Sequence, residues 1–581
     1  MREALRRARW LPVLAALLCL AAPLRLAASP ERSTALIAEA RKALDGGDGI
    51  AAEVRLRQAM DAGAPREAVA ALMGEAFLIQ DQRDKARQWL ADGQFSPETA
   101  ALGFRALGRL ELLDENLPAS AAAFDHAIAL TPRDATMWVE IGRMRYAGRE
   151  HTLALAASDY ALTLDPGNVR ALEFHALIVR DRDGALPALP WFRRALAKAP
   201  QDMAVLGEYA ATLGELGRAR EMLAVTRKMI GIDGSDPLPS YLQAVLAARA
   251  GNFDLARRLY GRTSDRMRDV PGAMLLEGVL ELHAGNHVLA VEALQRLTRI
   301  QPANARARLL LARAEALAGE DRLVLHDFAD EAARAGAAPY LVVQVARAHE
   351  ADGRRDLAAP LLDRAALGQV PPLSPVATGS PIGALLADGN NAQALTLAEG
   401  ALAQHPGAVE NAVLAGDVQL ATGHPDAALA RYRQAARVRL PQSLLLRMIE
   451  ACRQSGDGAM AARIAQDYLA RNPASPLAAR LVAGFAVDRG DWRRAAMLLA
   501  AARAAGGAGD VRLLAALARA QLRVADVKAA EATAREAYRL QRASPAATAA
   551  WADALAALGG NDATVAALRA KQARLGVPAP S

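Results

Sequence analysis

Two cysteines and an aromatic share of 4% in 581 residues exclude several kinds of protein at once. Cys19 lies in an apolar N-terminal segment and Cys452 stands alone in the body. If the first segment is removed, no intramolecular disulfide can form, and stability must come from packing. The chain is nevertheless 52% hydrophobic, which excludes a disordered polymer. With so few rings, that apolar mass is mostly Ala, Leu and Val. Small residues of high helix propensity on this scale favour closely packed helices over sheets. The chain is also too long for one ordinary core, so several domains or a repeat array is expected.

The residue patterns of common chemistry are missing too. There is no G-x-S-x-G elbow, no H-E-x-x-H, no paired C-x-x-C and no G-x-x-x-x-G-K. His283 and His287 have a metal-ligand spacing, but Gly285-Asn286 between them reads as a turn that separates two helices. His349-Glu350 lacks a second histidine, and His126 and His175 fall at helical repeat positions, where packing or surface roles are the better reading. Gly506-Gly507-Ala508-Gly509 has no preceding strand and no Walker lysine, so it reads as a turn. Cys452 reads as a buried, inert thiol. Trp89, Trp138, Trp191, Trp492 and Trp551 recur near positions that point between helices, which favours packing over carbohydrate stacking. No catalytic residue, cofactor or metal is expected, and the chain does not read as an enzyme.

Charge of one sign is likewise scarce in the body. Of the formal +7, the first 28 residues hold +4, five arginines against Glu3, which leaves about +3 for the rest. That is too little to imply a nucleic-acid partner. Met1–Arg9 is basic, Trp10–Ala22 is apolar, and Leu26-Ala27-Ala28 precedes Ser29-Pro30. This order describes a secretory signal peptide over 1–28, cleaved after Ala28, and predicts an exported, periplasmic protein. An uncleaved inner-membrane anchor over Trp10–Ala28 and lipoprotein processing at Cys19 stay open as alternatives.

What the chain does have is a period. Pro132, Pro166 and Pro200 stand 34 residues apart. Ala127, Ala161 and Ala195 precede them at a fixed distance, as do Phe124 and Phe192, and Gly108, Gly142 and Ala176. Small residues let two helices cross closely, and large ones fill the remaining space. Each proline ends the second helix, because its ring clashes with the preceding turn and it has no N–H to donate. Gly148 divides the unit 135–168 into helix, turn, helix. Further copies run through 33–66, 67–100, 271–304, 305–338, 375–408, 409–442, 442–475, 476–509 and 510–545. Between 201 and 270 the register drifts around Gly231–Pro237, which predicts helices but not ideal repeats.

This repeat resembles the tetratricopeptide repeat family. The resemblance implies an all-α fold, an α-solenoid of helix-turn-helix repeats wound into a right-handed superhelix with a concave groove. Two arrays are expected, 33–369 and 382–575, joined by a proline-rich linker over 370–381 that carries Pro371, Pro372, Pro375 and Pro381. The resemblance further implies a protein–protein interaction scaffold of the cell envelope. Such a scaffold would bind partner proteins or extended peptides, with a part in exopolysaccharide export or outer-membrane assembly and a membrane-associated complex. An accessory subunit of an envelope enzyme, such as a polysaccharide synthase, binding peptide or glycan, stays open. In that family, first-helix positions three and four residues apart line the groove. Here they include Arg105, Arg109, Arg143, Tyr146, Arg170, Glu173 and Arg180. Arginine suits a carboxylate-bearing partner, because its planar fork gives two hydrogen bonds at once. A solvated helix face rich in arginine would carry the same residues.

Overall fold

The computed structural model describes residues 30–575, apart from 265, 335, 336, 368–379, 506, 543 and 561. The expected signal segment therefore lies outside the described residues, as does all but the end of the proline-rich linker. Among the described residues there are 32 α-helices, from Pro30–Asp45 to Asp562–Arg574, and no strand. Successive helices pack as helix-turn-helix pairs, such as Ala100–Leu113 with Leu117–Leu130 and Val511–Arg523 with Val527–Leu540. The fold is an all-α solenoid. No helix among the described residues is long and apolar enough to cross a membrane. The chain divides into two compact units, 1–171 and 172–581.

The unit 1–171 shows why the period makes a pair. Helix Ala100–Leu113 is followed by Leu117–Leu130, then Ala135–Ala147 by His151–Leu164. The turn within each pair holds one left-handed residue: Asp81, Glu115 and Arg149 have φ of 54°, 59° and 62°. Asn116 and Asp134 cap the helices that follow, accepting from the amides of Ala119 and of Thr136 and Met137, which satisfies donors that a helix start leaves free. Gly108 faces the Phe124 ring so closely that a Cβ would lie 2.7 Å from it. Gly74 meets Leu90 in the same way. Ser120 Oγ donates to the Gly108 carbonyl at 2.8 Å across the same crossing. Ala154 and Ala161 are fully buried, and Ser158 is buried at the position equivalent to Phe124.

The unit 172–581 repeats this plan. Its left-handed turns fall at Gly217, Gly251, Gly285, Gly319 and Gly353, each 34 residues after the last and in register with Asp81, Glu115 and Arg149. Glycine takes this backbone conformation without steric cost. The stretch 201–270 keeps that spacing. It forms the pairs Met203–Glu215 with Ala219–Ile232, and Leu238–Arg249 with Phe253–Gly261. Its irregularity lies in the connections: the link before Leu238 is slightly long at the expense of the 12-residue helix Leu238–Arg249, and the short helix Phe253–Gly261 is followed by a longer link to Pro271. Gly278 meets Leu294, and Gly416 meets Tyr432, again sixteen positions on. Gly507–Gly509 is a single 3-10 turn between helices.

The residues tested above as chemical candidates serve this packing. His283 ends one helix and His287 opens the next, and the His283 ring stacks on Phe253 at 3.7 Å. Trp138 donates to the Pro132 carbonyl at 3.0 Å and meets Tyr160 edge-on. Trp191 packs on His175, and Trp551 on Tyr538. Cys452 is fully buried, and that burial pushes its thiol pKa up, away from the thiolate a reactive cysteine needs.

Candidate functional site

The stripe of first-helix residues is placed by three helices. Arg105 and Arg109 lie on Ala100–Leu113, Arg143 and Tyr146 on Ala135–Ala147, and Arg170, Glu173 and Arg180 on Val169–Asp183. The first five belong to the unit 1–171 and the last two to the unit 172–581. Arg109 Nη1 lies 2.6 Å from the Glu75 carboxylate of the preceding repeat. Arg180 Nη1 lies 3.0 Å from Glu208, and also donates to Thr212 Oγ1. Tyr146 packs edge-on against His151 at 5.0 Å. Glu173 is buried. Arg143 and Arg170 make interactions of their own within the chain. Arg105 is half-buried, with no side-chain partner among the described residues.

Arg109 and Arg180 follow a rule that runs through the molecule. Arg431 pairs with Glu399, Arg447 with Asp417, Arg480 with Asp510 and Arg503 with Glu536, at 2.6 to 2.7 Å. Each partner stands 28 to 34 residues away, in an adjacent repeat. Arginine thus stitches neighbouring pairs together. A partner's carboxylate arriving at Arg109 would compete with Glu75, whereas at Arg105 it meets a guanidinium with no internal claim on it.

Two clefts add to this surface. In the unit 1–171 an apolar one of about 440 Å³ lies between successive pairs, lined by Leu117, Phe124, Ile128, Trp138, Ile141 and Met144. In the unit 172–581 the array returns upon itself. The Leu440 amide donates to the Asp181 carbonyl at 3.0 Å, and the Ala185 amide donates to Asn472 Oδ1 at 3.2 Å. Arg439 lies 3.8 Å from Asp181. Beside this seam an open cleft of about 430 Å³ is lined by Arg182, Asp183, Arg433, Ala436, Arg437 and Arg471. The sequence reading missed this group. A 34-residue period identifies neighbours in the array but not the repeats that meet after a full turn.

A tandem of helix pairs, stitched by ion pairs and offering open clefts along its length, defines a repeat solenoid, a class that presents surface to partners. Residues 105–169 and 241–305 match the tetratricopeptide repeat family. No curated protein matches it in sequence. Among solved structures it is similar to PilW, a type IV pilus biogenesis factor, at 15% identity over 36% of this chain and 98% of that one, with a TM-score of 0.31. The Cut9–Hcn1 hetero-tetramer of the APC/C is similar at 12% identity over 94% and 93%, TM-score 0.35. YrrB, a tetratricopeptide repeat protein with an unusual peptide-binding site, is similar at 21% identity over 32% and 95%, TM-score 0.23.

Proposed function

We propose that the chain is a protein–protein interaction scaffold of the cell envelope, holding partner proteins or extended peptides along the stripe of its first helices. The observation that carries the reading is the tandem of helix pairs itself. It repeats one surface at regular intervals, so a partner can engage several repeats at once and add small contributions. The basic, apolar and small-residue order of Met1–Ala28 supports export. A part in exopolysaccharide export or outer-membrane assembly is the finer form of the proposal, by resemblance. Arg105 is the side chain best placed to take a partner's carboxylate. The test is site-specific photo-crosslinking of the exported chain. A crosslinker at Arg105 is expected to capture a discrete partner, and one at Leu130, exposed on a second helix, is not. Equal capture at both positions overturns the stripe. N-terminal sequencing of the fractionated protein tests the location: a mature start at Ser29 in the periplasmic fraction is expected. Full-length protein in the cytoplasm overturns the envelope placement.

A further inference from the structure

The seam in the unit 172–581 brings together side chains that lie far apart in sequence, Arg182 and Asp183 with Arg433, Arg437 and Arg471. Arg182 and Asp183 close helix Val169–Asp183. Arg433 lies on Pro425–Ala436, Arg437 directly follows it, and Arg471 closes Gly458–Arg471. All five line the one cleft. The acids at the seam are already taken: Asp183 accepts from Arg182 at 2.7 and 3.0 Å, and Asp181 faces Arg439. Arg433, Arg437 and Arg471 are exposed and have no side-chain ion pair among the described residues. Three uncompensated guanidinium groups thus face one small space from two different repeats, with a fourth beside them.

Elsewhere in this chain several arginines that reach between repeats meet a carboxylate, as Arg447 meets Asp417 and Arg503 meets Glu536. Here the pattern breaks, and the missing counter-charge is the observation to explain. Like charges gathered on both sides of a junction repel across it, and what draws the edges together includes the Leu440 and Ala185 amide hydrogen bonds and the long Arg439–Asp181 ion pair. An anion in the cleft would be attracted to every guanidinium and would draw the two edges together.

We propose that this cleft binds a multivalent, phosphate-type anion, which bridges Arg182, Arg433, Arg437 and Arg471 and holds the turn of the array closed. Geometry favours phosphate over carboxylate. A carboxylate is planar and is satisfied by one bidentate arginine. A tetrahedral phosphate directs its terminal oxygens apart, toward donors arriving from several helices, and carries more charge to offset them. The ligand is taken as a phosphate group whether free or carried on a larger molecule.

The experiment is titration calorimetry of the full mature chain at low ionic strength, with inorganic pyrophosphate and, separately, an oligoglutamate peptide. Pyrophosphate is expected to bind saturably at one site. R437Q/R471Q is expected to lose affinity by about tenfold or more for each arginine, the usual worth of a hydrogen bond to a charged group. Both side chains are exposed, so the variant is expected to fold, and a circular dichroism melt without anion checks this. R493Q/R494Q removes equal charge outside the cleft and is expected to bind as wild type. Small-angle scattering of wild type is expected to show a smaller radius of gyration with pyrophosphate than without, a change that R437Q/R471Q lacks. Three results overturn the proposal: no saturable pyrophosphate site, equal loss in the two double variants, or oligoglutamate binding where pyrophosphate does not. Pyrophosphate bound to a phosphate-free chain favours a free anion as the natural source. Tighter binding of a phosphorylated peptide favours a macromolecular one. Either supports the phosphate chemistry.

Discussion

The ring of Tyr432 fills the space that a side chain at residue 416 would need: a Cβ built on Gly416 would lie 2.5 Å from Tyr432 Cε1. Tyr432 is fully buried, and its hydroxyl donates to the Asp417 carboxylate at 2.8 Å. The ring therefore has no free direction in which to give way. Gly416→Ala is expected to destabilise the chain by about 1–3 kcal/mol, the usual cost of overpacking a well-filled site. Thermal unfolding of the mature chain checks this, and an unchanged melt would show that the crossing can open without cost.

The same carboxylate separates two kinds of arginine stitch. Asp417 is buried between Tyr432 and Arg447, with Arg447 Nε 2.7 Å away. Arg447→Ala leaves a buried charge with only the tyrosine hydroxyl beside it, and a loss of about 3–5 kcal/mol is expected. Arg503 and Glu536 make an ion pair of similar length, 2.6 Å, but both are more than a third exposed. Water and salt screen such a pair, so Arg503→Ala is expected to cost about 0–1 kcal/mol. Denaturant melts of the two variants, run side by side, test the contrast. Equal losses would mean that burial does not govern these stitches.

Much of this architecture is legible in sequence because the same solution recurs. Pro132, Pro166 and Pro200 mark the ends of second helices, and Gly108 marks a crossing, before any coordinates are known. The pairing of Arg109 with Glu75 was legible in principle, since the two occupy equivalent places one period apart. Opposite charges at equivalent positions of adjacent repeats are the signal for it. Irregularity was harder to place. The residues around Gly231–Pro237 suggest a lost register, yet the left-handed turns at Gly217 and Gly251 hold it, because the slightly long link is taken from the 12-residue helix Leu238–Arg249. The meeting of Arg182 with Arg437 and Arg471 was not legible. It depends on small rotations summed over many repeats, and no local pattern reports that sum.

Glu315 gives the fold a pH dependence. It is fully buried on Ala305–Ala318. Burial, reinforced by the neighbouring Asp327 carboxyl, pushes its pKa from 4.5 up to about 8, against the pull of Gln295 and Arg308. The folded chain therefore keeps a proton here that the unfolded chain releases above 4.5. Wherever the native state holds more protons, stability falls as pH rises. The contribution of Glu315 is thus full below 4.5 and is lost progressively up to about 8. The local slope approaches about 1.4 kcal/mol per pH unit. Glu315→Gln keeps the shape without the titration, so its stability is expected to vary less with pH across this window. Denaturant melts from pH 5 to 8 check it, and parallel curves for wild type and variant would overturn it.

The first-helix stripe makes its sharpest prediction in one helix, where two arginines four residues apart have opposite duties. Arg109 reaches back to Glu75, a mostly buried carboxylate 2.6 Å away. Arg105 is half-buried, with no side-chain partner among the described residues. If the stripe receives a partner's carboxylate, the cost of that binding falls on the arginine with nothing to give up. Arg105→Ala is expected to leave the melting curve within about 0.5 kcal/mol of wild type, as for surface changes that break no network. It is expected to weaken retention of the partner captured by crosslinking, with a loss that grows smaller as salt screens the wild-type attraction. Arg109→Ala is expected to do the reverse: it strands Glu75 and lowers stability by about 1–3 kcal/mol. Its effect on retention at a temperature where both variants are folded is expected to be small. A pull-down with each variant, paired with its melt, separates the two roles. If Arg109→Ala loses the partner while Arg105→Ala keeps it, the contact runs through the stitched residue, and Glu75 must swing aside when the partner binds.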